Sequence, residues 1–406
     1  MAARRRATQA ATLQKSQTKS SHSKETNSDE NEKSKREEFN EQAIAKKQQH
    51  AKSMHLIPLP LQFTVLVCSG FLFLLAYRDL FATGKVIFGD MDSAMLHYTG
   101  SMKWYDDSRG WKSSMGGLSA VRGVSTDDND MGGFFVRKMT GAAGLAYALQ
   151  KLLPLLVQDS KSDWKRGHYT PLLLSCAVGN GLLAGYYISH WDDLKGSGAE
   201  QMALAIVVAL LVEFVVFMGY CLRVTLQKPP PAMAKSYPAG KGPTSTVHRI
   251  VARTIAIVTG CVLLIAGRDF FFTGHVLPFP PGDEMYLEWT GTFFHSPPPG
   301  SEEAMEYGME APLHSGDKFL ARLMALYFLV IGAQKVFSSF GVRLGKDRSG
   351  EIVCKTFWKS QTFGNAILLF TLRLFAEPST SASVDLRWHL MCIGYETFIL
   401  GLYAYY

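Results

Sequence analysis

Two glutamates stand where a membrane makes glutamate costly: Glu213 within "ALLVEFVVFMG" and Glu396 within "MCIGYETFILG". A carboxylate at the centre of a bilayer costs about 2.5–3.5 kcal/mol on insertion scales. Such a residue faces the bundle interior and holds a ligand, relays a proton or bonds to a neighbouring helix. Asn180 and Asn365 occupy the same kind of setting, each one apolar run earlier. Successive helices joined by a short connection pack antiparallel, so Asn180 is expected to meet Glu213, and Asn365 to meet Glu396. A carboxylate beside an amide suits a small polar head group. It suits a plain interhelical hydrogen bond equally well, and on sequence alone both readings stand. The four residues are the ligand-binding candidates.

A second polar set lies at helix ends. "AYRDLFATGKV" (76–86) returns as "AGRDFFFTGHV" (266–276), which places Arg78-Asp79 and Arg268-Asp269 at equivalent points. Arg137 and Arg322 begin later apolar runs on that same side. A cation near a helix C-terminus is favoured by the macrodipole, and Gly84 just past the end suits a C-cap. The aspartates are disfavoured there and need a cation. The expectation is that Asp79 pairs with Arg137, and Asp269 with Arg322. Together Arg78, Asp79, Arg137, Arg268, Asp269 and Arg322 would form a lumenal polar mouth.

No other motif names a reaction. There is no GxSxG, no Walker loop and no GxGxxG ahead of a helix. His97, His190, His275, His295, His314 and His389 show no HxH, HExxH or HxxxH spacing, and the six cysteines contain no CxxC pair. "HWDD" at 190–193 is the nearest approach to a ligand cluster. No metal, no cofactor and no catalytic residue are expected. Nucleic-acid binding is not expected either, because no aromatic-rich basic patch accompanies the positive charge.

The elements that must position these residues are apolar runs of about 20 residues, the length that crosses a bilayer at 1.5 Å per residue. Eight are expected as helices: 59–82, 134–157, 170–189, 200–222, 249–272, 318–340, 357–376 and 386–405. Ahead of them, residues 1–55 are too polar to offset chain entropy and read as a disordered tail. A Pro/Gly-rich linker, 227–247, separates residues 56–226 from 248–406.

Those two segments read as copies of one unit. Arg78-Asp79 and Arg268-Asp269 are offset by 190. "GD…YTGS" (89–101) is echoed by "GD…WTGT" (282–292), and "FFVRKM" (134–139) by "FLARLM" (319–324). Asn180 and Asn365 are offset by 185, and Glu213 and Glu396 by 183. A Gln-Lys pair also recurs, at Gln150-Lys151 and Gln334-Lys335. Its offset of 184 is one residue out of register with the start of the same helix, so it counts as weak. The fold class is thus all-α membrane protein: eight transmembrane helices in two parallel four-helix repeats, behind a disordered polar N-terminal tail.

Connections on one side carry fifteen Lys and Arg, and those on the other carry six. The positive-inside rule then puts both termini in the cytosol. The endoplasmic reticulum or another endomembrane is the expected location. An organelle envelope is the alternative, since residues 1–24 hold six basic residues and no acid. Expected partners are membrane lipids and a small amphipathic ligand. The function expected is binding or translocating such a molecule between the two repeats. A lipid-modifying enzyme using the intramembrane carboxylates, or a membrane scaffold, is the alternative.

Overall fold

A computed structural model describes residues 59–104, 128–156, 170–226, 246–272, 287, 315–341, 348–375, 391–399 and 401–402. The N-terminal tail, nearly all of the linker 227–247 and the "GD…WTGT" motif, apart from Leu287, lie outside them. Every described element is helical. Helix α1 runs Leu59–Thr64, takes a π-turn at Val65–Ser69 and continues as Gly70–Phe81. It is followed by α2 (Asp90–Tyr98), α3 (Asp128–Leu156), α4 (Thr170–Ser189), α5 (Trp191–Gly196) and α6 (Glu200–Leu226). Then come α7 (Thr246–Ala266, tightening to a 3₁₀ turn at Gly267–Phe270), α8 (Ser315–Gly341) and α9 (Arg348–Phe375). Helical residues 391–399 form α10.

Among the described residues, four helices are long and apolar enough to cross a membrane: Pro60–Phe81, Leu172–Ser189, Glu200–Arg223 and Gly316–Val336. They suggest a membrane-embedded protein. Helix α3 falls outside that group because Arg137, Lys138 and Lys151 interrupt its apolar character. It is nonetheless the most enclosed helix, buried almost continuously from Phe134 to Lys151. The burial pattern reverses that of a water-soluble bundle. Phe63, Leu66, Val178, Leu204, Val208, Val215, Val258, Phe363 and Phe398 are exposed, while Lys138, Lys151, Glu213, Lys335 and Glu396 are completely covered. Charges inside and aliphatics outside are what a hydrocarbon solvent demands.

Glycines set how closely the helices meet. A Cβ on Gly141 of α3 would stand 2.7 Å from the Leu80 backbone nitrogen of α1. A Cβ on Gly332 of α8 would stand 2.7 Å from the Gly260 carbonyl of α7. Small residues that let backbones approach are the usual means of helix association in lipid. Two further contacts cross the chain in reciprocal fashion. Gly364 of α9 packs on Ala146 of α3, and Gly179 of α4 packs on Val330 of α8. Each of α3 and α8 is thereby wedged against a helix from the far part of the sequence.

Candidate functional site

Asn180 on α4 and Glu213 on α6 face each other because these two helices run side by side, joined through the short helix α5. Asn180 Nδ2 donates to Glu213 Oε2 at 2.9 Å, the contact expected from the sequence. The third member is Lys151 of α3, whose Nζ lies 2.5 Å from Glu213 Oε2 and 3.4 Å from Asn180 Oδ1. The other carboxylate oxygen, Oε1, accepts the Ser69 hydroxyl from the π-turn of α1. Tyr147, one turn before Lys151, lies 2.7 Å from Asn180 Oδ1 through its hydroxyl. The Lys151 ammonium also stands 4.6 Å from the Tyr147 ring centroid. All groups of this cluster are buried. Both oxygens of Glu213 therefore meet donors.

The same constellation occurs again. Lys335 of α8 bonds to Glu396 Oε2 and to Asn365 Oδ1 at 2.8 Å. Asn365 Nδ2 donates to Glu396 Oε2 at 2.8 Å. Thr259 of α7 stands against the carboxylate as Ser69 does in the first cluster. Its hydroxyl also lies 2.9 Å from the Ile255 carbonyl oxygen. Glu396 Oε1 is buried with no hydrogen-bond donor at bonding distance and angle among the described residues.

Lys151 and Lys335 were absent from the sequence-derived site. Their signal was the Gln-Lys pair, discounted because its offset of 184 is out of step with Arg137 and Arg322. The lysines nevertheless make the same pair of contacts, each to a glutamate Oε2 and an asparagine Oδ1. Ser69 and Thr259 share the offset of 190 seen for Arg78 and Arg268. That coincidence would have found them.

At the Arg78 end, the expected pairing of Asp79 with Arg137 is overturned. Arg78 curls back on its own neighbour: Nη2 lies 2.6 Å and Nε 2.7 Å from Asp79 Oδ1. It also bonds to Asp92 of α2. A long guanidinium reaches what the direction of its Cβ alone would not. Lys138, one residue beyond Arg137, supplies the second positive charge beside Asp79. Its Nζ caps the end of α1 through the Leu80 carbonyl at 2.6 Å, and the dipole favours a cation there. Arg137 is committed elsewhere. It bridges to Asp317 of α8 at 2.5 Å, donates to the Gly133 carbonyl at 2.8 Å and takes the Thr99 carbonyl. Gly100, with φ +62°, turns the chain beneath it. The "YTG" motif is therefore the turn on which Arg137 docks. In the later helices, Asp269 lies 3.8 Å from Arg268 Nε, with both side chains buried. Arg322 lies near Tyr186.

Between these groups lies a cavity of about 70 Å³. Its lining includes the polar residues Arg78, Asp79, Arg137, Thr99 and Thr140 and the apolar or aromatic residues Leu75, Ile206, Phe319, Leu323 and Tyr327. Arg137 Nε is buried and has no hydrogen-bond acceptor among the described residues. Such a space holds a few water-sized groups or a compact head group.

His190 of the "HWDD" stretch packs on Tyr186 and Phe319, with ring centroids 4.4 and 5.5 Å away. Asp192 and Asp193 point to the exterior. Among the described residues no three His, Cys, Asp or Glu side chains gather into a metal-binding group. His275, His295, His314 and His389 lie outside the described residues. No protein-family model, curated protein or solved structure matches this chain.

Proposed function

We propose that this chain is a multi-pass membrane protein that binds the polar head group of a small amphipathic molecule in the cavity beside Arg137. The observation that carries the reading is the cavity itself. It is lined by Arg137, whose Nε is buried with no acceptor among the described residues, and by Phe319, Leu323 and Tyr327. A buried donor without an acceptor among the described residues, in a cavity lined also by apolar side chains, suits a carbonyl, hydroxyl or carboxylate attached to a hydrocarbon body. The Lys–Asn–Glu clusters are better suited to tying helices together, because the first is saturated by its own partners.

The proposal includes eight spans arranged as two parallel four-helix repeats. Support comes from the shared offsets, from the recurring Lys–Asn–Glu cluster and from the reciprocal Gly364–Ala146 and Gly179–Val330 contacts. Two equivalent surfaces exchanging roles are the mark of a two-fold interface. Basic connections argue for cytosolic termini and an endomembrane location, with the Arg137 mouth on the lumenal side.

The test is native mass spectrometry of the full chain released from lipid nanodiscs. Leu323→Trp fills the cavity. The expected result is a co-purifying amphipathic molecule in the wild type that is depleted at least tenfold in the variant, with thermal stability retained. The same molecules retained in both proteins would refute the reading.

A further inference from the structure

Among the described residues, three charged side chains line the cavity: Arg78, Asp79 and Arg137. Each already has a counter-charge. Arg78 holds Asp79 Oδ1 at 2.6 Å through Nη2 and at 2.7 Å through Nε, and its Nη1 bonds to the buried Asp92. Lys138 is a second positive neighbour of Asp79. Arg137 Nη2 lies 2.5 Å from Asp317 Oδ1. Three cations (Arg78, Arg137 and Lys138) thus stand with three carboxylates (Asp79, Asp92 and Asp317), and the set is neutral without a ligand.

That balance bears on what the cavity can hold. A buried arginine commonly recognises a carboxylate or phosphate. Here Arg137 meets Asp317, and Arg78 meets two aspartates. An ionised acid head would add an anion near Asp79 with no unmatched cation to receive it. An ammonium head would add a cation near Arg78 and Arg137. Either leaves an unmatched charge beside guanidinium groups that are themselves buried, and such a charge is costly. An uncharged head avoids that cost and can still accept from Arg137 Nε. Thr83 and Thr140 also line the cavity. Their hydroxyls donate to the Asp79 and Val136 carbonyls, at 2.6 and 2.7 Å. Each oxygen then offers lone pairs. A hydroxyl head can accept from the arginine and donate to such an oxygen.

We infer that the cavity selects an uncharged alcohol on a hydrocarbon body over ionised acids and amines, and that Asp317 sets this preference by neutralising Arg137. The inference rests on the head-group reading of the cavity and narrows it. Asp317 is not among the lining residues. Its removal therefore frees one positive charge and leaves the lining intact.

Three probes of one chain length provide the test: hexadecanol, hexadecanoate and hexadecyltrimethylammonium. Each is added to nanodiscs holding the full chain, in alkaline buffer that ionises the acid, and retention is read by native mass spectrometry. The wild type is expected to retain hexadecanol at least tenfold more than either ion, and to lose it in Leu323→Trp. Asp317→Asn is expected to retain hexadecanoate at least tenfold more than the wild type does. Equal retention of the three probes, a preference for either ion, or no gain of hexadecanoate in Asp317→Asn would overturn the selectivity while leaving a head-group site in place. Retention of none of them in either protein would overturn the head-group site and the selectivity together.

Discussion

Lys151 and Glu213, 62 residues apart in the chain, meet at 2.5 Å with no part of either side chain exposed. Removing one member leaves a buried charge without its counter-ion, a cost of about 3–5 kcal/mol. Lys151→Met should therefore lower thermal stability sharply in detergent. Lys151→Met combined with Glu213→Gln should recover most of the loss, because no net charge then stays buried. A double-mutant cycle read by thermal unfolding checks this. Additive effects of the two substitutions would contradict it.

Gly316 and Gly185 should respond in opposite directions to the same substitution. A Cβ on Gly316 would stand 1.7 Å from the Tyr98 carbonyl oxygen, a backbone atom that cannot swing aside. Gly316→Ala should cost about 1–3 kcal/mol through overpacking. Gly185 sits in α4 with nothing within 4 Å of its would-be Cβ. Gly185→Ala should stabilise by about 0.5–1 kcal/mol through helix propensity. Thermal midpoints of the two variants, measured side by side, provide the check.

Asp92 fastens the turn after α1. It takes the Arg78 guanidinium on Oδ1 and the backbone N–H groups of Ile87 and Phe88 on Oδ2, at 2.8 and 3.4 Å. Asp92→Ala leaves those buried or half-buried donors unsatisfied, at about 1–3 kcal/mol. The turn carries Lys85, which is exposed. Trypsin should cut after Lys85 several-fold faster in Asp92→Ala than in the wild type. Unchanged cleavage would mean that the turn is held by other contacts.

Orientation can be read with cysteines placed in two connections. Ser197 ends the short helix between α4 and α6, and Ser162 lies in the basic connection 158–169. In sealed microsomes, a membrane-impermeant maleimide should label Ser162→Cys at once, and Ser197→Cys only after permeabilisation. The reverse order would invert the topology.

Much of the first cluster was legible in the sequence. Glu213 and Asn180 are polar residues in apolar runs, and a short connection forces those runs side by side. Lys151 was not legible, because its match to Lys335 is one residue out of step with Arg137 and Arg322, and periodic comparison discounts such a match. The Asp79 partner was misread for a different reason. Sequence spacing gives Cβ directions, and an arginine is long enough to ignore them. Asp92 escaped because it contacts Arg78 across a loop, and Asp317 because it meets Arg137 from a helix 180 residues away; in neither case does spacing carry geometric information. Leu323 and Tyr327 could be placed on a helix from the sequence. That they line one cavity with Arg78 depends on how distant helices dock.

The reciprocal wedging of α3 and α8 has a consequence for how the chain is made. Ala146 finds its partner Gly364 only after 218 more residues have been synthesised. At ordinary elongation rates that is roughly 10–45 s. Lys151, Asn180 and Glu213 can assemble much earlier, since all lie within 62 residues. The nascent chain thus completes its first ionic knot while one face of α3 still awaits α9. During that interval the insertion machinery, or a membrane chaperone, must shield a helix face that carries Gln150 beside Ala146.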